Sequence, residues 1–181
     1  LMGRHNAYNL LAAYATAISL GFTKEEVLVA LSKVDGAKGR LENIRYPKRD
    51  LSIIIDYAHT PDALENVLNA LRDIAEGRKI ITLFGCGGDR DATKRPEMGK
   101  IAADLSDRVI VTSDNSRSEK TEDIMKEIVA GMDLSGRSKA LKIAYRAEAM
   151  LTAIVTAEPG SVILLAGKGN ETYPILDNVK R

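Results

Sequence analysis

With a single cysteine, Cys86, the chain cannot close an internal disulfide, which fits a reducing compartment. Histidine is scarce as well. His5 and His59 fall on separate segments, so there is no His/Cys cluster with metal-ligand spacing, and no metal site is expected in this chain. No apolar run approaches the roughly 20 residues needed to cross a bilayer. The opening Leu-Met-Gly-Arg-His-Asn lacks the basic region, apolar stretch and small-residue cleavage site of a signal peptide, and the expected location is cytoplasmic. An excess of either charge is missing too: 26 Lys and Arg stand against 25 Asp and Glu, and a net charge of +1 gives no electrostatic case for nucleic acid or an anionic membrane.

Two nucleotide-binding signatures are also absent. Gly85, Gly87 and Arg90 break the Gly-x-Gly-x-x-Gly spacing of a dinucleotide fingerprint. Gly99-Lys100 and Gly167-Lys168 lack the preceding glycine and the following Ser or Thr of a Walker loop. Repeats, low-complexity tracts and linker-like runs do not occur in the 181 residues, a length that suits one domain with a small appendage.

What is present is a regular rhythm. Residues 6–20 keep an apolar stripe through Leu10, Leu11, Tyr14, Ala17 and Ile18 and read as a helix stopped by Gly21; a second short helix starts at the cap Thr23 and runs to about Lys33. Residues 36–49 alternate Gly, Lys, Arg and Pro with single apolar residues, as in a loop or short edge strands, and Gly39-Arg40-Leu41-Glu42 reads by composition as a solvated surface pair. From 51 onward strands at 51–56, 79–84, 108–112, 140–143 and 161–166 alternate with helices at 61–76, 95–105, 121–132 and 146–157. The fold class this predicts is α/β: a Rossmann-like open, mainly parallel sheet flanked by helices on both faces, preceded by a short helical pair at 1–35. The helix at 61–76 should start on Thr60 as N-cap with Pro61 in its first position, and should bury Leu64, Val67, Leu68, Leu71 and Ile74.

Polar residues collect at the strand ends: Asp56 to Asp62, then Gly85-Cys86-Gly87-Gly88-Asp89-Arg90-Asp91, then Ser113-Asp114-Asn115-Ser116-Arg117, and Gly167-Lys168-Gly169-Asn170-Glu171. Parallel strands put their carboxyl ends on one edge, so the four groups are expected to converge on one crevice. Arg90 and Arg117 can each hold a carboxylate, and Asp114 and Glu171 an ammonium, which suits a zwitterion such as an amino acid. The same charges read equally well as local surface ion pairs. Cys86, between glycines at a buried strand end, reads as a small apolar filler rather than a nucleophile. His59 has no Ser or Cys evidently placed to partner it as a base.

Taken in order, these stretches resemble the C-terminal domain of the Mur ligases, in the branch that adds the third amino acid to UDP-N-acetylmuramoyl-L-alanyl-D-glutamate in peptidoglycan synthesis. The resemblance is carried by His5-Asn6 with Asn9 and Leu11-Ala12-Ala13, by Gly39-Arg40-Leu41-Glu42, and by Asp56 to Ala63. It continues in Phe84 to Asp91, Lys94-Arg95-Pro96, Asp114 to Arg117 and Ala166 to Gly169. It implies that Asn6, Arg40, Asp56 and His59 lie at the ATP site, and that Arg90, Asp114, Asn115, Arg117, Gly167 and Glu171 form the pocket for the incoming amino acid. Arg117, the last residue of the family's Asp-Asn-Pro-Arg motif, points to meso-diaminopimelate, whose distal carboxylate L-lysine lacks. Two positions depart from the family: Ser116 stands in place of proline, and Asn170 in place of the histidine of Gly-Lys-Gly-His-Glu.

The resemblance further implies an ATP- and Mg2+-dependent ligase. Its phosphate loop and magnesium ligands would belong to a central domain, and its UDP site to an N-terminal domain, neither of which is in this sequence. Residues 1–35 would then be the junction with the central domain and 36–181 the amino-acid-binding domain, inactive alone. The rival readings are the same ligase using L-lysine, a ligase of the folylpolyglutamate or cyanophycin synthetase type, and a non-catalytic amino-acid-binding domain. The Gly-Cys-Gly-Gly-Asp-Arg-Asp loop together with Arg117 favours the muramyl branch.

Overall fold

Two helices lead the chain, α1 (Arg4–Ser19) and α2 (Lys24–Ser32). They belong to a computed structural model that describes residues 4–34, 36–171, 175–176 and 179–180. A reciprocal capping box starts α2: Thr23 Oγ1 accepts from the Glu26 amide, and the Glu26 carboxylate accepts from the Thr23 amide. The stripe expected on α1 is only partly covered, with Leu10, Tyr14 and Ala17 half-buried and Leu11 and Ile18 exposed.

The sheet elements follow as β1 (Glu42–Tyr46), β2 (Leu51–Asp56), α3 (Pro61–Ala75), β3 (Ile80–Phe84), α4 (Lys94–Leu105) and β4 (Arg108–Val111). Next come α5 (Thr121–Ala130), α6 (Leu134–Ser138), β5 (Ala140–Lys142), α7 (Arg146–Thr156), β6 (Val162–Ala166) and a small antiparallel pair, β7 (Ile175–Leu176) with β8 (Val179–Lys180). The main sheet has six strands in the order β1-β2-β6-β3-β4-β5. All its pairings are parallel except β1 with β2, where Glu42 faces Ile55 and Tyr46 faces Leu51. The mainly parallel α/β sheet read from the sequence is therefore the observed one.

Both faces are covered, as near-continuous apolar strands require. On one face α3, α4 and α5 pack Leu64, Leu68, Met98 and Ile128 against Ile54, Phe84, Val109 and Leu164. On the other, α7 lays Ala149 and Ala153 on Leu83, Ile110 and Ile163, the small side chains letting the helix sit close to the strands. Helices α4 and α5 also approach closely, since a Cβ added at Gly99 would overlap the Ile128 carbonyl oxygen.

Two details differ from the sequence reading, at Ile74 and at α6, and one, the loop or short edge strands at 36–49, is narrowed. Ile74 is 41% exposed and Ala75 takes the buried position at the end of the α3 stripe. The segment 36–49 contains a true edge strand, β1, whose side chains past Glu42 are exposed, so it carries no inward alternation to read. Helix α6 was not anticipated; its five residues are too few to show a period, and it is started by Asp133, which accepts from the Gly136 amide at 2.6 Å. Helix α3 starts as expected, with Pro61 at its head and Thr60 Oγ1 accepting from the Ala63 amide at 3.4 Å.

Candidate functional site

The turn after β2 is organised by Asp56. This carboxylate is 5% exposed and accepts from the Leu41 amide through Oδ2 and the Ala58 amide through Oδ1, each at 2.8 Å. It thereby ties the Gly39–Leu41 loop to the β2 turn. Gly39, at φ +70, packs against the backbone of Gly169 and Asn170, where any Cβ would clash. Around this brace, the Arg40 guanidinium sits 4.9 Å from the Tyr57 ring centroid, and the His59 ring meets Tyr57 edge-on at 4.8 Å. His59 Nδ1 lies 3.0 Å from the Tyr57 carbonyl oxygen; a carbonyl can only accept, so Nδ1 carries a proton and donates.

Four loops enclose a crevice of about 430 Å³ at the carboxyl edge of the sheet. From the glycine-rich loop after β3 come Gly87, Arg90 and Asp91; from the segment after β4 come Asp114, Asn115 and Arg117. The β2 turn supplies Tyr57, His59 and Thr60, and the loop after β6 supplies Gly167 and Glu171. Arg117 adopts φ +52 and donates from Nη1 to the carbonyls of Gly88 at 2.8 Å and Asn115 at 3.2 Å. The turn that carries it is held without proline: the Gly88 amide donates to Asn115 O at 2.9 Å, and the Glu119 amide to Ser116 O at 3.0 Å.

Opposite Arg117, Lys168 is only 16% exposed. Its Nζ reaches Asn115 Oδ1 at 2.9 Å, Asp114 Oδ1 at 3.2 Å and Glu171 Oε2 at 3.4 Å, while Asn115 Nδ2 donates to Glu171 Oε2 at 3.1 Å.

Beneath the glycine loop lies Arg95, 1% exposed, whose guanidinium bonds both Glu119 oxygens, Glu127 and the Gly87 carbonyl. Hydrogen bonding to Glu119 holds its charge on and drives its pKa upward, and the same contact lowers that of Glu119, which also accepts from the Asp89 amide at 2.6 Å. The loop after β3 and the loop after β4 are thus stapled together from below. Ser118 does the same from above, donating through its hydroxyl and amide to Asp89, whose carboxyl is held below its ordinary range by these bonds. Cys86 belongs to the core, its thiol pushed up to about 12 by burial and its sulfur 3.8 Å from that of Met98. That is the filler role read from the sequence.

The crevice gathers His59, Arg90, Asp114, Asn115, Arg117, Gly167 and Glu171, as the convergence of strand ends demanded. Asn6, half-buried on α1, Arg40 and Asp56 do not line it. Arg40 and Asp56 form the brace behind Tyr57, with both oxygens of Asp56 engaged by backbone amides. Lys94 and Lys168 were missed as site residues. Lys94 lines the crevice and donates to His59 O at 2.7 Å. Each could have been found as a basic residue adjoining one of the strand-end loops. Among the described residues no group of three His, Cys, Asp or Glu side chains could hold a metal ion. The donor set of the described residues therefore does not fit a resident magnesium ion.

A mainly parallel sheet covered by helices on both faces, with a crevice lined by both signs of charge at its carboxyl edge, defines an α/β domain of the Rossmann-like class. Residues 39–169 match the family described as Mur ligase, glutamate ligase domain, and the chain belongs to that family. Among relatives, UDP-N-acetylmuramoyl-L-alanyl-D-glutamate--2,6-diaminopimelate ligase of Bacteroides fragilis is 52% identical over 99% of this chain and 37% of its own length. The same-named ligase of Trichormus variabilis is 48% identical over 99% of this chain and 36% of its own. A solved structure of a ligase of that name superposes with a TM-score of 0.76 at 39% identity, covering 100% of this chain and 36% of that one. A folylpolyglutamate synthase from Mycobacterium tuberculosis shares the fold, at TM-score 0.69 and 20% identity over 92% of this chain and 38% of that one. The chain thus spans a little over a third of the length of the relatives it matches.

Proposed function

We propose that this chain is the C-terminal domain of a cytoplasmic ATP-dependent ligase of peptidoglycan synthesis, and that its crevice presents meso-diaminopimelate to UDP-N-acetylmuramoyl-L-alanyl-D-glutamate. The observation that carries this is the gathering of Arg90, Arg117, Asp114 and Glu171 in one crevice, in a chain about half identical to ligases named for 2,6-diaminopimelate. That ligand has two carboxylates and two ammonium groups, and the crevice offers Arg90 and Arg117 for the first pair and Asp114 and Glu171 for the second. Arg117 spends Nη1 on the backbone, which fixes the guanidinium and leaves Nη2 and Nε for the distal carboxylate.

On this reading the chain's own residues do positioning work. One ammonium releases a proton to solvent and the free amine attacks the activated glutamyl carbonyl; the C–N bond forms, the C–O bond to phosphate breaks, inorganic phosphate leaves, and the nitrogen sheds a second proton to solvent to give the amide. ATP, when bound, supplies the phosphoryl group that activates that carboxylate. Arg40 stacked on Tyr57, with His59 at the ring edge, offers a cation and flat faces suited to a nucleotide, with Asp56 bracing the turn beside them and Asn6 on α1 the fourth residue assigned to the nucleotide. Magnesium ligation, the phosphate loop and the UDP-sugar site fall to the enzyme's central and N-terminal domains. The gain from holding amine and acyl phosphate in attack geometry is of the order expected for proximity, up to about 7–11 kcal/mol.

Titration calorimetry of the chain with meso-diaminopimelate and with L-lysine, repeated on Arg117→Ala, tests this. Binding of the diacid that falls at least about tenfold in the variant, with lysine weak in both, is the expected result. Equal binding of the two ligands, or a preference for lysine, would overturn the assignment of substrate.

A further inference from the structure

Arg146 is a charged residue in a place that charge does not favour. It occupies the first position of α7, the positive end of the helix dipole, where acidic residues are the stabilising choice. Its guanidinium is directed under the crevice, and among the described residues no carboxylate forms an ion pair with it. Its bonds go instead to two main-chain oxygens: Nη1 donates to Ser113 O at 3.2 Å and Nη2 to Ala166 O at 2.9 Å. Burial pushes its pKa down, and the nearby charges of Asp114 and Glu171 offset that only in part. A residue that breaks local rules in this way needs a reason elsewhere in the molecule.

The reason lies in the sheet. Ser113 and Ala166 end the stretches that lead into the two halves of the crevice, the Asp114–Arg117 segment and the Gly167–Glu171 loop. These stretches are not neighbours, because β3 runs between β4 and β6. Ladder pairing of β3 stops at Leu83 opposite Leu165 on one side and Phe84 opposite Val111 on the other. Beyond those pairs one further bond joins the β4 chain to β3, Thr112 N to Phe84 O at 2.9 Å; past it Gly167 N is tied outward to Asp56 O at 3.1 Å and Ser113 N to Ala144 O at 3.2 Å, away from each other. Gly85 carries the β3 chain out of the gap close under Thr112 to Asp114, an approach that any Cβ would block. Above the gap, among the described residues, Lys168 and the bond of Asn115 with Glu171 tie the two halves. Below it, the tie is the Arg146 fork.

We infer that Arg146 is a positioning residue for amino-acid recognition: its planar guanidinium clamps the β4 and β6 chain ends at one separation and so sets the distance between Arg117 and Glu171. A rigid fork with paired donors can hold two carbonyls at a fixed spacing, whereas an ammonium on a flexible stem cannot. The inference deepens the amino-acid reading of this crevice and rests on it for the ligand, but the clamp itself is a claim about the protein alone.

The test uses Arg146→Lys and Arg146→Met with two readouts. Amide hydrogen exchange reads the clamp without ligand: in Arg146→Met, amides of 114–118 and 168–171 should exchange at least about tenfold faster while those of β3 keep their rates. Calorimetry reads recognition: meso-diaminopimelate should bind at least about tenfold more weakly, and its preference over L-lysine should narrow, because misplacement of about 1 Å is enough to spoil a two-ended fit. Arg146→Lys, which keeps the charge and loses the fork, should recover stability fully and selectivity only partly. Unchanged exchange in both segments would overturn the clamp. So would loss of protection spread evenly over the chain, or failure of both variants to fold, either of which makes Arg146 a general brace. If the unaltered chain binds no amino acid, the functional reading fails, while the exchange data still decide the clamp.

Discussion

Gly87 shows how closely the crevice is built at the level of single atoms. A Cβ placed there would meet Arg117 Nη1 at 2.9 Å, closer than real contacts allow. The obstacle is the far end of a flexible side chain, so Gly87→Ala is expected to fold normally and to displace the guanidinium from its Gly88 and Asn115 carbonyls. Calorimetry should show diaminopimelate affinity reduced by about tenfold, with the melting temperature within a degree or two of the original, as for a change worth well under 1 kcal/mol of stability. Cys86 makes the opposite case, a polar-capable atom with no part in the site. Its thiol pKa, raised from 9.0 to about 12 by burial, lies above that of the unfolded chain. Stability linked to the protonated thiol is therefore complete below pH 9 and is lost as pH rises from 9 toward 12, by at most about 1.4 kcal/mol per pH unit. Urea denaturation between pH 8 and 10.5 should fall more steeply for the natural chain than for Cys86→Ala. At pH 8 the folded protein should also resist iodoacetamide, since almost no thiolate is present.

Among the elements, α7 depends on a residue far from it in sequence. Arg49 donates to the carbonyls of Ile154 at 2.9 Å, Val155 at 2.6 Å and Ala157 at 3.2 Å, which closes the carboxyl end of a helix that has no basic residue in its own last turn. Arg49→Ala should cost about 1–2 kcal/mol and lower the melting temperature by a few degrees, measurable by differential scanning calorimetry. The strands and long helices of this sheet were legible in the sequence because buried parallel strands are continuous apolar runs and α3 repeats its apolar face over four turns. Edge strand β1 was legible only as one of two alternatives, a loop or short edge strands, since it exposes its side chains, and the five-residue α6 was not, being shorter than a helical period can reveal. Caps such as Thr23 and Thr60 are local and readable; the Arg49 cap joins positions more than a hundred residues apart and leaves no local trace.

At the scale of the whole molecule, the crevice was legible because topology alone brings the carboxyl ends of β2, β3, β4 and β6 to one edge. What lay hidden were the residues that hold those ends to one another. Lys168 stood in a Gly-Lys pair that fails as a phosphate loop, Arg95 carried no role beyond its place in Lys94-Arg95-Pro96, and Arg146 drew no reading at all; each acquires its role only across the fold. The same view bears on what this chain can do unaided. Its crevice offers donors and acceptors for an amino acid, yet the sequence has no Walker loop and the described residues include no metal-ligating cluster. If the amine is presented here and the acyl phosphate is made on another domain, reaction requires both in one closed unit, where tethering supplies an effective concentration in the millimolar range. The purified 181 residues, given ATP, magnesium, meso-diaminopimelate and UDP-N-acetylmuramoyl-L-alanyl-D-glutamate, should therefore release no phosphate above background in a coupled phosphate assay while still binding diaminopimelate by calorimetry. Mixing them at micromolar concentration with a ligase truncated before this domain should restore at most about a thousandth of the intact rate, the ratio of micromolar to millimolar effective concentration. Phosphate release that tracks product formation by the chain alone would place nucleotide activation within it, and would move the chemistry to the Arg40, Tyr57 and His59 face.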